Sequence, residues 1–231
     1  MVITNTSLYS IMGKKGSCIR WGRIQARQIA NIRRDSMGIN NLVKIHGYLA
    51  SDGCLASNIL KYKYDIRFYP DSYTLVRDFL KSFKIVYAII PHVTKLNNYY
   101  RVYIRNKIAY NHLIAIGPFG SLKWRVPYKL LTNKKRKIEW LRCFIDCDGY
   151  VSKRGTIQIQ SVNRGGIKNI ITLLKELGIN STLTKYVRNN KKWNINYILT
   201  INKSELFKMK KLFKLLHPNK KMRLSKCAGV A

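Results

Sequence analysis

Acidic residues are scarce in this chain: 10 Asp and Glu stand against 44 Lys and Arg over 231 residues, a formal charge of +34. Self-repulsion of that size points to a polyanionic partner, because neutralised phosphates and released counterions relieve it. Nucleic acid is the first candidate. An anionic membrane is set aside, since no apolar run approaches the ~18 residues needed to span and no basic amphipathic helix dominates. The first thirty residues carry Lys14, Lys15, Arg20, Arg23 and Arg27 but no long apolar core, so no secretory signal is read and an intracellular protein is expected. Cysteine is sparse too. Cys18, Cys54, Cys143, Cys147 and Cys227 are odd in number and lack CxxC spacing, which argues for reduced thiols over a disulfide frame or zinc site. The four histidines, His46, His92, His112 and His217, show no metal-ligand spacing. What remains is ample apolar material: 46% hydrophobic residues suffice for a packed core in one large domain or two small ones.

The acids that are present are placed in a pattern. Asp-Gly occurs twice, and each pair closes a similar apolar segment: Ile45-His46-Gly47-Tyr48-Leu49-Ala50-Ser51-Asp52-Gly53 and Leu141-Arg142-Cys143-Phe144-Ile145-Asp146-Cys147-Asp148-Gly149. Aligned on these pairs, the chain reads as two copies. Alternating residues up to Tyr69 are followed by a helical pattern over Asp71 to Lys84; the second copy has Thr156 to Val162, then Gly166 to Leu177. Two strand-like runs follow in each, Ile85 to Val93 with Tyr99 to Arg105, and Ile179 to Val187 with Trp193 to Ile201. A second helical segment closes each copy, Ile108 to Ile116 and Lys203 to Leu216. The expected fold is α+β, with two pseudo-symmetric αββαββα lobes over 38–117 and 134–231. Residues 118–133 serve as linker and 1–37 as a basic N-terminal extension.

If 39–51 and 135–147 are helices, Gly47 and Ser51 lie four apart on one, Cys143 and Cys147 on the other, and small residues at that spacing let two helix backbones approach closely. Such packing sets Asp52 beside Asp148. Each carboxylate also faces the negative end of its own helix dipole. Two acids so placed repel unless cations intervene, and a hard divalent ion, Mg2+ before others, answers that need. The bland reading is a pair of buried helices stopped by glycine.

The two segments resemble the paired signature helices of LAGLIDADG homing endonucleases of the single-chain, double-motif, intron-encoded type. The likeness covers roughly residues 39 to 226, departing where His46 and Cys143 replace small residues. It implies helices packed at the lobe interface and a curved antiparallel sheet in each lobe facing the DNA major groove. It further implies divalent metals held by Asp52, Asp148 and the carbonyls of Ser51 and Cys147. Mg2+ would support cleavage, Mn2+ would substitute, and Ca2+ would bind without cleavage. The implied activity is hydrolysis of both strands of a long double-stranded DNA target by a monomer, leaving short 3′ overhangs. A basic residue is implied near each metal. Lys123 and Arg125 are candidates in the first copy, Lys221 and Arg223 in the second; Asp52 to Arg125 and Asp148 to Lys221 both span 73 residues.

Alternation also sorts candidate DNA-reading faces. Lys61, Lys63, Asp65 and Arg67 share one, and Tyr99, Arg101, Tyr103 and Arg105 another. In the second copy Thr156, Gln158 and Gln160 go together, as do Asn194, Asn196 and Thr200, with Arg188 grouped beside them. Arginine reads guanine and Asn or Gln reads adenine in the major groove. Asp65 and Gln160 have a second possible place near the metal. Trp124, Trp140 and Asp146 are assigned to structure. Two rivals of the same fold are an RNA-binding intron splicing factor and a DNA-binding regulator without cleavage; the presence of both acids favours the enzyme.

Overall fold

The computed structural model describes residues 32–187 and 194–227. In chain order these form helix α1 (Ser36–Asp52), strands β1 (Gly53–Asn58) and β2 (Lys63–Phe68), helix α2 (Tyr73–Tyr87), strands β3 (His92–Lys95) and β4 (Tyr100–Arg105), and helix α3 (Lys107–Ile116). The second half repeats the order: α4 (Lys134–Asp148), β5 (Gly149–Val151), β6 (Ile157–Ser161), α5 (Arg164–Glu176), β7 (Thr182–Tyr186), β8 (Asn196–Ile201) and α6 (Leu206–Leu212), then α7 (Pro218–Cys227). Each half holds one antiparallel four-stranded sheet, ordered β1-β2-β4-β3 and β5-β6-β8-β7. The α+β, two-lobe architecture expected from the sequence is present.

Alternation builds the sheets. Ile66, Phe68, Val102 and Ile104 turn inward from β2 and β4, while Ile157, Ile159, Leu199 and Ile201 do so from β6 and β8. Each set packs on the apolar stripe of a helix: Leu75, Val76, Phe79 and Phe83 of α2 in one core, Ile167, Ile170, Leu173 and Leu174 of α5 in the other. Residues 117–133 contain no helix or strand, yet Phe119 enters the first core and Trp124, Val126 and Leu131 the second. Ahead of α1, Ile32 is buried in the first core and the Arg33 N–H donates to Val86 O. Lys14, Lys15, Arg20, Arg23, Arg27 and Cys18 lie outside the described residues.

Several boundaries differ from the sequence reading. Ile85 to Tyr87 continue α2, since Val86 and Tyr87 prolong its buried stripe, and the helix ends where Ala88 takes a left-handed φ of 55°. The strand then begins at His92. Lys61 lies in the turn between β1 and β2, not on the strand with Lys63. The helix read over Lys203 to Leu216 is a 3-10 turn (Lys203–Glu205) and α6, ending where Phe213 and Leu215 alternate into the core. Helix α7 was not foreseen, although Pro in a first helical turn is a start signal.

The halves meet most extensively along α1 and α4. A Cβ added at Gly47 would stand 2.9 Å from Cys143 Cβ and 2.9 Å from Trp140 O, so glycine is what permits this approach. His46 is fully buried in the seam, accepting at Nδ1 from Trp140 Nε1 (3.1 Å) and lying 4.8 Å from the Phe119 ring. A buried charge network crosses the same seam. Arg142 of α4 donates to Asp78 of α2 (2.9 Å), to Tyr48 Oη of α1 (3.2 Å) and to Asp146 one turn along its own helix (3.0 Å), while Lys44 also reaches Asp78 (3.1 Å).

Candidate metal centre and nucleic-acid interface

Asp52 and Asp148 are the last residues of α1 and α4, and the following glycines open β1 and β5. These glycines are not left-handed: φ is −103° at Gly53 and −77° at Gly149. Space requires them, because a Cβ would fall 2.4 Å from Leu49 O in one and 2.6 Å from Ile145 O in the other. The chain therefore turns sharply from helix into strand, leaving each carboxyl at the corner. Since the helices are packed together, the corners adjoin, and the acids feel one another. Burial first and Asp52 second push the Asp148 pKa up to about 7, against the pull of the Lys220 ammonium. Asp148 keeps an open side towards solvent while protein crowds its carboxyl from the other. Asp52 is likewise raised, by burial above all, with opposing help from the Cys147 thiol and Lys220.

A crevice of about 340 Å³ opens beside Asp148, lined also by Ser51, Gly53, Ser121, Gln160 and Asn196 among others. Neither α1 nor α4 has a basic residue in its last turn. The charge comes from another element: Lys220 of α7 donates to the carbonyls of Asp146 (2.7 Å) and Cys147 (2.5 Å), capping α4. Its placement is over-determined. Asp146 accepts the N–H groups of Leu216 and His217 (3.0 Å each), and His217 Nδ1 accepts the Lys220 N–H at the start of α7. From the opposite half, His217 Nε2 meets Asp71 (3.1 Å) and Thr74 donates to Leu216 O.

Among the described residues no group of three or more His, Cys, Asp or Glu side chains could hold a metal. Two carboxylates with a helix-end carbonyl still suit Mg2+, which keeps several waters and leans on one or two carboxylates plus substrate phosphates. The donors are hard oxygens, and two mutually repelling acids gain from a cation between them. The residues present fit the ion.

The first sheet's outer face carries Lys63, Asp65 and Arg67 from β2 and Arg101, Tyr103 and Arg105 from β4, with Asp65 opposite Arg105 and Arg67 opposite Tyr103. The second sheet's outer face carries Gln158 and Gln160 with Asn196, Ile198 and Thr200.

The sequence of residues 135–212 matches the family model of a LAGLIDADG-like domain. The whole fold is similar to that of the homing endonuclease I-DmoI, in a structure of its mesophilic variants: TM-score 0.60 at 14% identity, over 76% of this chain and 95% of that one. It is similar also to the homing endonuclease I-WcaI bound to its DNA recognition sequence, with TM-score 0.58, 12% identity and coverage of 87% and 91%. The second half is thus a LAGLIDADG-like domain by sequence, and the chain as a whole has the fold of these homing endonuclease structures. The fold is similar also to that of full-length DUF199/WhiA from Thermatoga maritima, at TM-score 0.53 and 15% identity over 87% of this chain and 63% of that one. No curated protein matches the sequence significantly.

The LAGLIDADG reading of site residues divides cleanly on the structure. Asp52, Asp148, Ser51 and Cys147 come together at the helix ends. Of the four basic candidates, none bonds either acid: Arg125 is tied to Asn163 (2.9 Å) and the Trp124 carbonyl, Arg223 to Val151 O (3.1 Å), Lys221 lines a separate groove with Arg77 and Lys81, and Lys123 lies exposed in a turn. Lys220 is the residue that the 73-residue spacing passed over by one place. The residue at its offset from Asp52 is Trp124, which is buried, so the two acids have unequal surroundings. Gln160 lies at the crevice, whereas Asp65 is bound among arginines. Asn194 is exposed just ahead of β8, and Arg188 lies outside the described residues. Trp124, Trp140 and Asp146 are buried, in keeping with structural roles.

Proposed function

We propose that this protein is a site-specific endonuclease that hydrolyses both strands of a double-stranded DNA target with Mg2+. Adjoining carboxylates at the ends of two packed helices, set between two outward sheets on a +34 chain, are the observation that carries the reading. Asp52 and Asp148, with the carbonyl of Ser51, would hold the ions, while the Cys147 carbonyl expected beside them accepts from Lys220 instead. Bound divalent cations supply Lewis acidity towards the scissile phosphate and its attacking water. The chain's own residues do the rest. Lys220 places a fixed positive charge beside Asp148, where negative charge builds on the phosphate. Gln160 lines the crevice as a donor and acceptor for water or a base. The sheets grip the flanking duplex, the first with arginines and the second with neutral amides. The I-DmoI structures with DNA and Mn or Ca are consistent with Mn2+ replacing Mg2+, and Ca2+ is expected to support binding without cleavage. The division into lobes at 38–117 and 134–231, action as a monomer, short 3′ overhangs and an intracellular setting belong to the same proposal. No helix among the described residues is long and apolar enough to cross a membrane.

The test is metal-dependent cleavage of a plasmid library followed by sequencing of the cut ends. Asp52→Asn or Asp148→Asn should abolish double-strand cleavage and leave duplex affinity nearly unchanged. Cutting retained by either variant at physiological Mg2+ overturns the assignment. Structured RNA that outcompetes the selected duplex moves the reading to the splicing-factor alternative.

A further inference from the structure

The outer face of the first sheet contains an acid that phosphate would repel. Asp65 is the only Asp or Glu among the described residues of β1 to β4, and its side chain is 9% exposed. It is covered by its neighbours on that face. Arg67 Nη2 donates to Oδ2 (2.8 Å), while Tyr103 Oη (2.8 Å) and Arg105 Nε (2.9 Å) donate to Oδ1. Burial alone would raise its pKa, but the bonds from Arg105, Tyr103 and Arg67 outweigh that and keep it ionised, below the usual carboxylate range.

The geometry selects which arginine atoms are spent. Arg105 uses Nε on Asp65 and has no protein partner for Nη1 and Nη2 among the described residues, and that terminal pair fits guanine O6 and N7 in a bidentate contact. Its guanidinium also lies 5.6 Å from the Tyr103 ring centre. Both arginines remain partly open, with side chains 36% and 51% exposed. Together with Tyr69, His92 and Arg101 they line a concavity of about 340 Å³. The side chain of Arg101, on the same face, has no hydrogen bond or ion pair among the described residues. The second sheet's outer face has no acid at all among its described residues.

We propose that Asp65 is a specificity-determining positioning residue: held from its other oxygen by Arg67, it fixes Arg105 as a guanine reader and leaves Arg101 to phosphate. A guanidinium locked in one plane discriminates, since a base edge must meet a set direction; a free one follows any phosphate. This rests on the DNA reading given above.

The experiment is selection of bound duplexes from a randomised pool in Ca2+, sequenced for wild type and variants. Wild type should prefer guanine at one or two positions of one half-site by roughly tenfold or more. Asp65→Asn should remove most of that preference at those positions, leave the other half-site's preferences unmoved, and bind unrelated duplex as tightly or more tightly. Arg105→Lys, which keeps charge without the fork, should lose the same preference. Arg101→Ala should weaken all sequences alike. If Asp65→Asn fails to fold by circular dichroism, Tyr103→Phe decides, and it should loosen the same positions. Guanine preference kept within twofold by whichever of these two variants is folded, while Arg105→Lys loses it, overturns the inference alone. A uniform loss over both half-sites shows a merely structural Asp65 and overturns it as well. A wild type that selects no sequence overturns the inference together with the DNA reading.

Discussion

His46 shows how one position can be legible in kind and illegible in role. Its place in the signature segment marks it as a departure from a small residue, but only the fold shows that it fills the seam between the halves. Nδ1 accepts from Trp140, and Nε2 finds no partner. Burial holds its pKa down to about 3, against an ordinary value of 6.5. Between these values the unfolded chain binds more protons than the folded one, so the stabilisation is complete above about pH 6.5 and is lost as pH falls towards 3. From pH 7 to pH 5 the loss should be about 2 kcal/mol. Urea unfolding at both pH values should show it, and His46→Gln should remove that part of the difference. Lys220 is a harder case for sequence. It stands in a run with Lys221 and Arg223 close by, and only the first turn of α7 decides which one faces the end of α4. Lys220→Met should lower cleavage roughly 10²–10³-fold with duplex affinity kept, as loss of one preorganised positive donor does. A single-turnover assay set beside a binding titration checks this.

At the scale of elements, the strands and helices with clean periodicity were readable: the stripe of α2, the alternation of β2 and β6, and the two signature helices. What misled was apolar residues whose environment changes within a few positions. Ile85 to Tyr87 look like strand because they are β-branched or aromatic, yet the same residues continue a helical stripe. Leu215 looks helical until the chain extends at Phe213. The seam itself invites two predictions. Gly47→Leu should lower stability by roughly 1–3 kcal/mol or more through overpacking against Cys143 and Trp140, read as a fall in melting temperature. Arg142→Ala should cost more, about 3–5 kcal/mol, because Asp78 and Asp146 would be left with buried charge in a network joining three helices. The network could not be read beforehand, since Asp78 and Arg142 lie 64 residues apart with nothing local to pair them.

For the molecule as a whole, charge was the most legible property and its distribution the least. Composition called for a polyanion; it did not show that β2 and β4 carry arginines where β6 and β8 carry amides. With many phosphates gripped, log affinity should fall with log salt at about −0.9 per phosphate neutralised, and a footprint of about two helical turns should accompany it. Binding titrations from low to high salt would show a shallow slope if the contacts were few.

If the sheets read DNA as proposed, the close fit at Gly47 also makes the protein a measuring device for length. Two helices locked face to face leave the reading surfaces no freedom to slide or rotate relative to one another. One base pair inserted at the centre of the target would swing one half-site by about 35° around the duplex and displace it about 3.4 Å along the axis, out of phase with its sheet. A central substitution leaves that phase intact. The target should therefore tolerate changes of letter at its midpoint far better than changes of count.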